Sequence, residues 1–149
     1  MTASYGGAWK LPSAPNVDAD VLVVDDDLAV RSTSAAILRV SGYSVAVAED
    51  GDVALQFLGK RKARMILLDL RMPGRDGLSV LEALPTPQLV VLVSAYILDD
   101  ITRARADANV FTYLEKPIQP ERLLNVVASA LGHARWGPAR VQGPSSPGE

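Results

Sequence analysis

Short apolar runs separated by segments of helical spacing recur along the whole chain. Residues 21–24, 65–68 and 89–93 are uninterrupted apolar runs, which predicts strands that are buried on both faces of a sheet. Residues 44–47 and 112–114 predict two shorter strands. The pattern therefore predicts five strands, with a segment of different periodicity after each.

The segments that follow the strands predict helices at residues 28–41, 52–60, 78–84, 97–108 and 120–131. Asp27 is a plausible N-cap of the first helix and Gly42 a plausible C-terminal stop. The fourth helix has helical spacing at Ile97, Ile101, Ala104 and Ala108. Because two of these four residues are only alanine, we expect this helix to bury little area and to be the loosest.

Strand and helix alternation over about 112 residues predicts an α/β fold, a five-stranded parallel sheet with five helices on its two faces. We expect the doubly wound, flavodoxin-like strand order 2-1-3-4-5. Gly, Pro and Ser are frequent at both ends of the chain. The expected organisation is a flexible leader at residues 1–19, a domain at 20–131, and a disordered tail or linker at 132–149.

Composition narrows the classes of function. The chain has 149 residues, 48% of them hydrophobic, and a net charge of −2, so its charge favours neither nucleic acid nor an anionic membrane. The absence of cysteine excludes disulfides, thiol catalysis and thiolate metal sites. No apolar run is long enough to span a membrane, and the N-terminus has no signal-peptide pattern. We expect a cytoplasmic protein.

Polar side chains stand where the predicted strands end. Asp25 and Asp26 follow the first strand, Asp69 the third, Ser94 the fourth and Lys116 the fifth. In a doubly wound sheet the ligand site lies at the carboxyl ends of the strands, where the strand order reverses. We therefore expect these side chains to converge on one edge.

Such an edge predicts phosphoryl chemistry. Three neighbouring carboxylates repel one another, and Mg²⁺, which prefers oxygen ligands, would relieve the repulsion. A lysine and a hydroxyl beside the metal suit phosphoryl oxygens, and Asp69, the lone acid of its strand, is the candidate nucleophile. Each residue alone has an ordinary interpretation: Asp27 and Asp76 are N-caps, Ser94 a turn residue and Lys116 a solvated charge. The coincidence at successive strand ends favours a site.

Four motifs resemble the receiver domain of bacterial two-component response regulators: VLVVDDD at 21–27, LLDLRMPGRDG at 67–77, LVSA at 92–95 and TYLEKP at 112–117. The resemblance covers residues 20–131. It implies that Asp69 accepts a phosphoryl group from a phosphohistidine on a sensor histidine kinase or a histidine phosphotransfer protein. It also implies that Asp26 binds Mg²⁺ directly and Asp25 largely through water, with Asp69 and the backbone carbonyl of Arg71 completing the protein ligands.

The resemblance further implies that Ser94 and Lys116 bind the phosphoryl oxygens and that Tyr113 is an aromatic switch, moving inward when Ser94 is drawn to the phosphate. Two departures stand out. The stretch between Asp69 and Ser94 is shorter than usual by about a helical turn. Arg71 and Tyr96 occupy positions that in the family influence loss of the phosphoryl group, and their bulk predicts a long-lived acyl phosphate.

Several functions remain open. The leading hypothesis is a phosphorylated switch, either stand-alone or a fragment of a larger output regulator. The switch would be recognised by a downstream protein or would form a homodimer through the last two helices. An aspartyl phosphohydrolase would need an acid two residues after Asp69, where Arg71 stands. An unphosphorylated binding module is the third. We expect no direct contact with nucleic acid or membrane, and a solvated role for His133.

Overall fold

The computed structural model describes residues 17–95 and 98–136, the last four through their backbone only. Within these residues, five parallel strands form one sheet in the order β2-β1-β3-β4-β5, which confirms the predicted fold. The strands are β1 (Ala19–Val24), β2 (Val45–Ala48), β3 (Ala63–Asp69), β4 (Val90–Ser94) and β5 (Thr112–Glu115).

Helices cover both faces of the sheet. They are α1 (Leu28–Val40), α2 (Gly51–Lys60), α3 (Gly77–Glu82), α4 (Asp100–Ala106) and α5 (Pro120–Trp136), with a 3₁₀ turn at Asp107–Asn109 after α4. Successive residues of a buried strand point to opposite faces. Val21 and Val23 therefore pack with α1 and α5, whereas Leu22 and Val24 pack with α2, α3 and α4.

Aspartates begin four of these helices. The side chains of Asp27, Asp50, Asp76 and Asp99 each accept a hydrogen bond from the backbone N–H three residues later. The capping roles predicted for Asp27 and Asp76 are confirmed, since the aspartate oxygen satisfies a helix N–H that has no partner within the helix. Gly42 ends α1 with a φ of +99°, a conformation that favours glycine.

The fourth helix differs from its prediction. It begins at Asp100, because Asp99 caps it, and it gives way to the 3₁₀ turn after Ala106. The predicted inward face is wrong: Ile101 is 74% exposed and Ala106 is the buried residue of the helix. Ala104 and Ala108 are also exposed, and Ile97 lies outside the described residues. The packed face follows Thr102 and Ala106, four residues apart on the helix.

The first strand and the last helix extend beyond their predicted bounds. Strand β1 begins at Ala19, inside the predicted leader, because Ala19 pairs with Ala63 of β3. Helix α5 runs to Trp136, past the predicted end at residue 131. Residues 1–16 and 137–149, which include most of the predicted leader and tail, lie outside the described residues.

A polar cluster joins three strands at the amino-terminal edge of the sheet. Asp20 is 1% exposed, and its carboxylate accepts hydrogen bonds from the backbone N–H of Ser44 (2.9 Å) and from the Arg64 guanidinium (3.2 Å). The backbone N–H of Asp20 is in turn 2.8 Å from the Ser44 hydroxyl oxygen, to which it donates. These bonds tie β1 to the start of β2 and to β3, at the end of the sheet opposite the candidate site.

Candidate functional site at the carboxyl ends of the strands

The acidic side chains predicted for the site meet where β1 and β3 end. The two strands are neighbours, with Val24 paired to Leu68, so the next residue of each strand brings Asp25 beside Asp69. Both acids are 3% exposed, whereas Asp26 is exposed. Asp25, Asp26 and Asp69 each offer a carboxylate oxygen, and these oxygens lie within 4.8 Å of one another.

Lys116 places its charge between the two buried acids. Its Nζ atom lies 3.0 Å from Oδ2 of Asp25 and 3.4 Å from Oδ1 of Asp69. The lysine follows β5, and its backbone N–H donates to the carbonyl of Ser94 at the end of β4 (2.9 Å). The ends of four strands therefore contribute to one site, as the strand order predicts.

Two buried carboxylates share one ammonium group at this edge, and their surroundings shift the pKa values of Asp69 and Lys116. Burial, followed by the charge of Asp25, raises the pKa of Asp69 to about 6, although Lys116 and the backbone N–H of Arg71 act in the opposite direction. Burial works to lower the pKa of Lys116, but the two carboxylates outweigh it and the pKa is raised. One lysine thus does not balance two buried carboxylates, and a further cation would.

The donors present fit such a cation. Three carboxylate oxygens within reach of one another form the all-oxygen environment that Mg²⁺ prefers, and the exposed Asp26 leaves the group open to solvent. Asp25, Asp26 and Asp69 are therefore the residues that could hold a metal ion at this edge.

Two hydrogen bonds between side chains and the backbone hold the turn after β1. Within the turn, the backbone N–H of Asp27 donates to Oδ1 of Asp25 (2.9 Å). The turn is also held from α1, since a guanidinium nitrogen of Arg31 donates to the backbone carbonyl of Asp25 (2.8 Å). The sequence analysis missed Arg31. Its position one helical turn after the Asp25–Asp27 run was the available signal.

The loop after β3 returns beneath Asp69 at Gly77. The backbone N–H of Gly77 donates to the carbonyl of Leu70 (2.8 Å). A Cβ atom at this position would lie 2.5 Å from the backbone oxygen of Asp69 and 2.8 Å from the Cα of Leu70. Only glycine allows helix α3 to start this close to the strand that carries Asp69.

Comparison with known proteins identifies the family. The family model of the response regulator receiver domain matches residues 21–128. The chain belongs to the response regulator receiver family. As a solved receiver domain, the CheY-like protein of Methanospirillum hungatei JF-1 superposes with a TM-score of 0.72 at 25% identity, covering 78% of this chain and 95% of that one.

Longer relatives carry the same domain. The response regulator MprA of Mycobacterium sp. (strain KMS) is 36% identical over 85% of this chain and 55% of its own length. The transcriptional regulatory protein ZraR of Klebsiella oxytoca is 34% identical over 82% of this chain and 28% of its own length. The chain thus spans about half or less of these two curated relatives. No helix among the described residues is long and apolar enough to cross a membrane.

The other predicted site residues of this receiver domain lie at or near the same edge. Ser94 is buried at the end of β4, one position beyond Val93, the residue that pairs with Asp69. Arg71 is exposed, and its backbone N–H lies 3.4 Å from Oδ1 of Asp69. Tyr96, predicted to shield the site with Arg71, lies outside the described residues, as does the side chain of His133.

Tyr113 is attached to the α4 side of the receiver domain. Its hydroxyl donates to Oδ1 of Asp107 in the 3₁₀ turn. The guanidinium carbon of Arg103 on α4 lies 4.7 Å from the centre of the tyrosine ring, a cation–π distance. Burial, together with the hydrogen bond and charge of Asp107, raises the pKa of Tyr113 to about 12. The tyrosine therefore links β5 to α4 and to the 3₁₀ turn that follows it.

Proposed function

We propose that this receiver domain accepts a phosphoryl group on Asp69 from a phosphohistidine of a sensor histidine kinase or a histidine phosphotransfer protein. The observation that carries the proposal is the position of the Asp69 carboxylate. It is buried at the strand ends, 3.4 Å from the Lys116 ammonium and among two further carboxylates. A carboxylate with a raised pKa is still ionised near pH 7.5 and can act as a nucleophile.

The proposed transfer is a displacement at phosphorus. An oxygen of Asp69 forms a bond to phosphorus while the bond from phosphorus to the donor imidazole nitrogen breaks, and the electron pair leaves with that nitrogen. Lys116 and the hydroxyl of Ser94 bind the phosphoryl oxygens. Asp25, Asp26, Asp69 and the carbonyl of Arg71 would hold Mg²⁺, which when bound offsets the negative charge of the acids and the phosphoryl group.

We further propose that the acyl phosphate is long-lived. Arg71 stands two residues after Asp69, and its exposed side chain leaves from the loop that borders the carboxylate. A bulky group there restricts the approach of water to phosphorus. The same residue disfavours phosphohydrolase activity, which needs an acid at this position to protonate the leaving group.

The downstream signal is proposed to leave through the surface of α4, β5 and α5, to a target protein or to a second copy of the domain. Ile101 on α4 is 74% exposed, which provides an apolar contact on that surface. The longer relative ZraR is named as a transcriptional regulatory protein, so the alternative is an output through a further domain of a longer protein.

Phosphorylation with a small donor tests the proposal. The protein is incubated with acetyl phosphate and Mg²⁺, and covalent phosphate is measured by intact mass and by mobility on a phosphate-binding gel. Wild type should gain one phosphoryl group that persists for minutes or longer. Asp69→Asn should gain none, and Asp52→Asn, at an exposed acid paired with Arg75, should behave as wild type.

Four results would contradict parts of the proposal. Labelling of Asp69→Asn would place the acceptor elsewhere. No labelling of a folded wild type, by acetyl phosphate or by a phosphorylated kinase, would favour the binding module. Continuous release of phosphate from a phosphomonoester would favour the hydrolase, and a half-life of seconds would contradict the predicted long lifetime.

A further inference from the structure

Arg31 is the one arginine of α1 whose side chain bonds to the acidic turn, as far as the described residues show. It lies in the first turns of α1 and is half-buried. One of its guanidinium nitrogens donates to the backbone carbonyl of Asp25 at 2.8 Å. The contact is to the main chain of the turn, and therefore acts on the position of the turn itself.

The turn is held at several points around Asp26. On one side, Asp25 donates its backbone N–H to the carbonyl of Ala48 (3.2 Å) and accepts the bond from Arg31. On the other side, Asp27 caps α1 and donates its N–H to the Asp25 side chain. Asp26 is exposed and lies between these anchors, so the direction of its side chain depends on the backbone that they hold.

From this geometry we infer that Arg31 is a positioning residue, which holds the turn so that the carboxylates of Asp25 and Asp26 face Asp69 at a distance suited to one cation. The inference rests on the proposed metal site. A guanidinium bonded to a carbonyl fixes the peptide plane between Asp25 and Asp26, and the direction of the next side chain follows from that plane. Without the bond, the turn would sample other orientations and bind a metal ion less tightly.

Arg39 offers a matched control on the same helix. Its guanidinium also donates to a strand carbonyl, that of Val45, at 2.9 Å. Val45 begins β2, at the opposite end of that strand from Ala48, which accepts the Asp25 N–H. Removing either arginine thus removes one side-chain bond to a backbone carbonyl and one positive charge, but only Arg31 contacts the acidic turn.

The experiment compares Arg31→Met, Arg31→Lys and Arg39→Met with wild type. Mg²⁺ affinity is measured by calorimetric titration, and amide exchange of Asp26 and Asp27 is measured by NMR in the metal-free protein. Arg31→Met should weaken Mg²⁺ binding by about tenfold and accelerate exchange of both amides. Arg31→Lys should fall between Arg31→Met and wild type, and Arg39→Met should change neither quantity.

Several outcomes would overturn the inference. One is a Mg²⁺ affinity of Arg31→Met within about twofold of wild type, and another is an equal loss of Mg²⁺ affinity in Arg39→Met. A third is a wild-type Mg²⁺ affinity in Arg31→Lys together with unchanged amide exchange in Arg31→Met, which would indicate a role for charge alone. If wild type bound no Mg²⁺, the metal site would fail, and amide exchange would still decide whether Arg31 holds the turn.

Discussion

Asp69 is held in a charge state that its surroundings oppose. Asp25 is buried beside it, and Lys116 contacts both carboxylates. Burial and the neighbouring charge together raise the pKa of Asp69 from the ordinary value of 3.8 to about 6, despite the lysine. Ionised Asp69 is therefore a source of instability, and ligands that bring positive charge gain free energy by relieving it.

Replacing Asp69 by asparagine should stabilise the metal-free protein at neutral pH. The folded pKa of about 6 lies above 3.8, so the folded state binds the proton more tightly than the unfolded state. The free energy of unfolding of wild type then falls as pH rises from about 4 to about 6, and the full penalty remains above that range. Asp69→Asn should exceed wild type by roughly 1 to 3 kcal/mol at pH 7.5 and approach it at pH 4.

Urea unfolding in EDTA at several pH values measures this difference. Asp52→Asn, at an exposed acid, should stay within about 0.5 kcal/mol of wild type throughout. Added Mg²⁺ should stabilise wild type more than Asp69→Asn. A variant that was less stable than wild type at pH 7.5 would show that the carboxylate is favourably placed and that the charge argument is incorrect.

The close approach of Gly77 to Asp69 makes a second prediction. In Gly77→Ala the new Cβ would lie 2.5 Å from a backbone oxygen, which no side-chain rotation can relieve. We expect a loss of roughly 1 to 3 kcal/mol in urea unfolding and slower phosphorylation, because the strand end that carries Asp69 must shift.

Gly59→Ala is the matched control for that substitution. Apart from its chain neighbours and the backbone of its own helix, no described atom lies within 4 Å of a Cβ built at Gly59, in the last turn of α2. Alanine favours a helix over glycine by up to about 1 kcal/mol. This variant should be as stable as wild type or more so. Equal stability of the two variants would contradict the role given to the Gly77 contact.

At the scale of elements, the sequence predicts best where burial is complete. Strands buried on both faces appear as uninterrupted apolar runs, and polar residues follow directly at their ends. For this reason the sequence alone predicts that Asp25, Asp69, Ser94 and Lys116 lie at strand ends. Element order then places these ends at one edge. Nothing in that reasoning depends on side-chain detail.

Sequence patterns fail to predict features that depend on a few contacts between distant segments. The face of α4 cannot be read from Ile101, because the helix is short and its orientation is set by the Asp99 cap and by neighbours far away in sequence. Asp20 and Arg31 were missed for a related reason. Their importance lies in bonds to backbone groups of other segments, which composition and periodicity do not reveal.

Polar contacts join α4 and the 3₁₀ turn after it to other elements, and one of these contacts can be removed singly. Arg105 makes two bonds to Glu82 of α3 (2.8 and 3.1 Å), and Tyr113 bonds to Asp107. Tyr113→Phe should keep the ring and lose the hydroxyl bond, and so accelerate amide exchange across residues 100–109, with a stability loss of about 1 kcal/mol. Hydrogen exchange read by mass spectrometry measures this segment and the rest of the domain in one experiment.

Tyr43→Phe, at a tyrosine between α1 and β2, should leave exchange in residues 100–109 unchanged.

In wild type, Mg²⁺ with beryllofluoride should alter exchange across residues 98–131 if phosphorylation shifts an equilibrium of α4, β5 and α5. Exchange that stayed the same there would end the hypothesis of a switch through this segment.

At the scale of the whole molecule, the two edges of the sheet treat buried acids in opposite ways. At the amino-terminal edge, the Asp20 carboxylate accepts from a guanidinium and from a backbone N–H of its own. At the carboxyl edge, Asp25 and Asp69 share one lysine. The first edge joins strands, whereas the second keeps a carboxylate whose charge is only partly balanced. Similar burial therefore has a structural consequence at one end and a chemical one at the other.

This contrast predicts that Asp20 contributes to stability without contributing to the site. In Asp20→Ala, the half-buried Arg64 would lose its counter-charge and the Ser44 N–H its acceptor, so the free energy of unfolding should fall by roughly 3 to 5 kcal/mol. Asp18→Ala removes a solvent-exposed ion pair with Arg61 (3.6 Å) and an exposed hydrogen bond from the Lys62 N–H. Loss of the ion pair should lower the free energy of unfolding by less than about 1 kcal/mol, so the total loss should stay below that of Asp20→Ala. Urea unfolding ranks the two variants, and Mg²⁺ titration below the unfolding transition should give affinities within about twofold of wild type for both. A large loss of Mg²⁺ affinity in folded Asp20→Ala would mean that the two edges are coupled through the sheet, because Asp25, Asp26 and Asp69 would be unchanged.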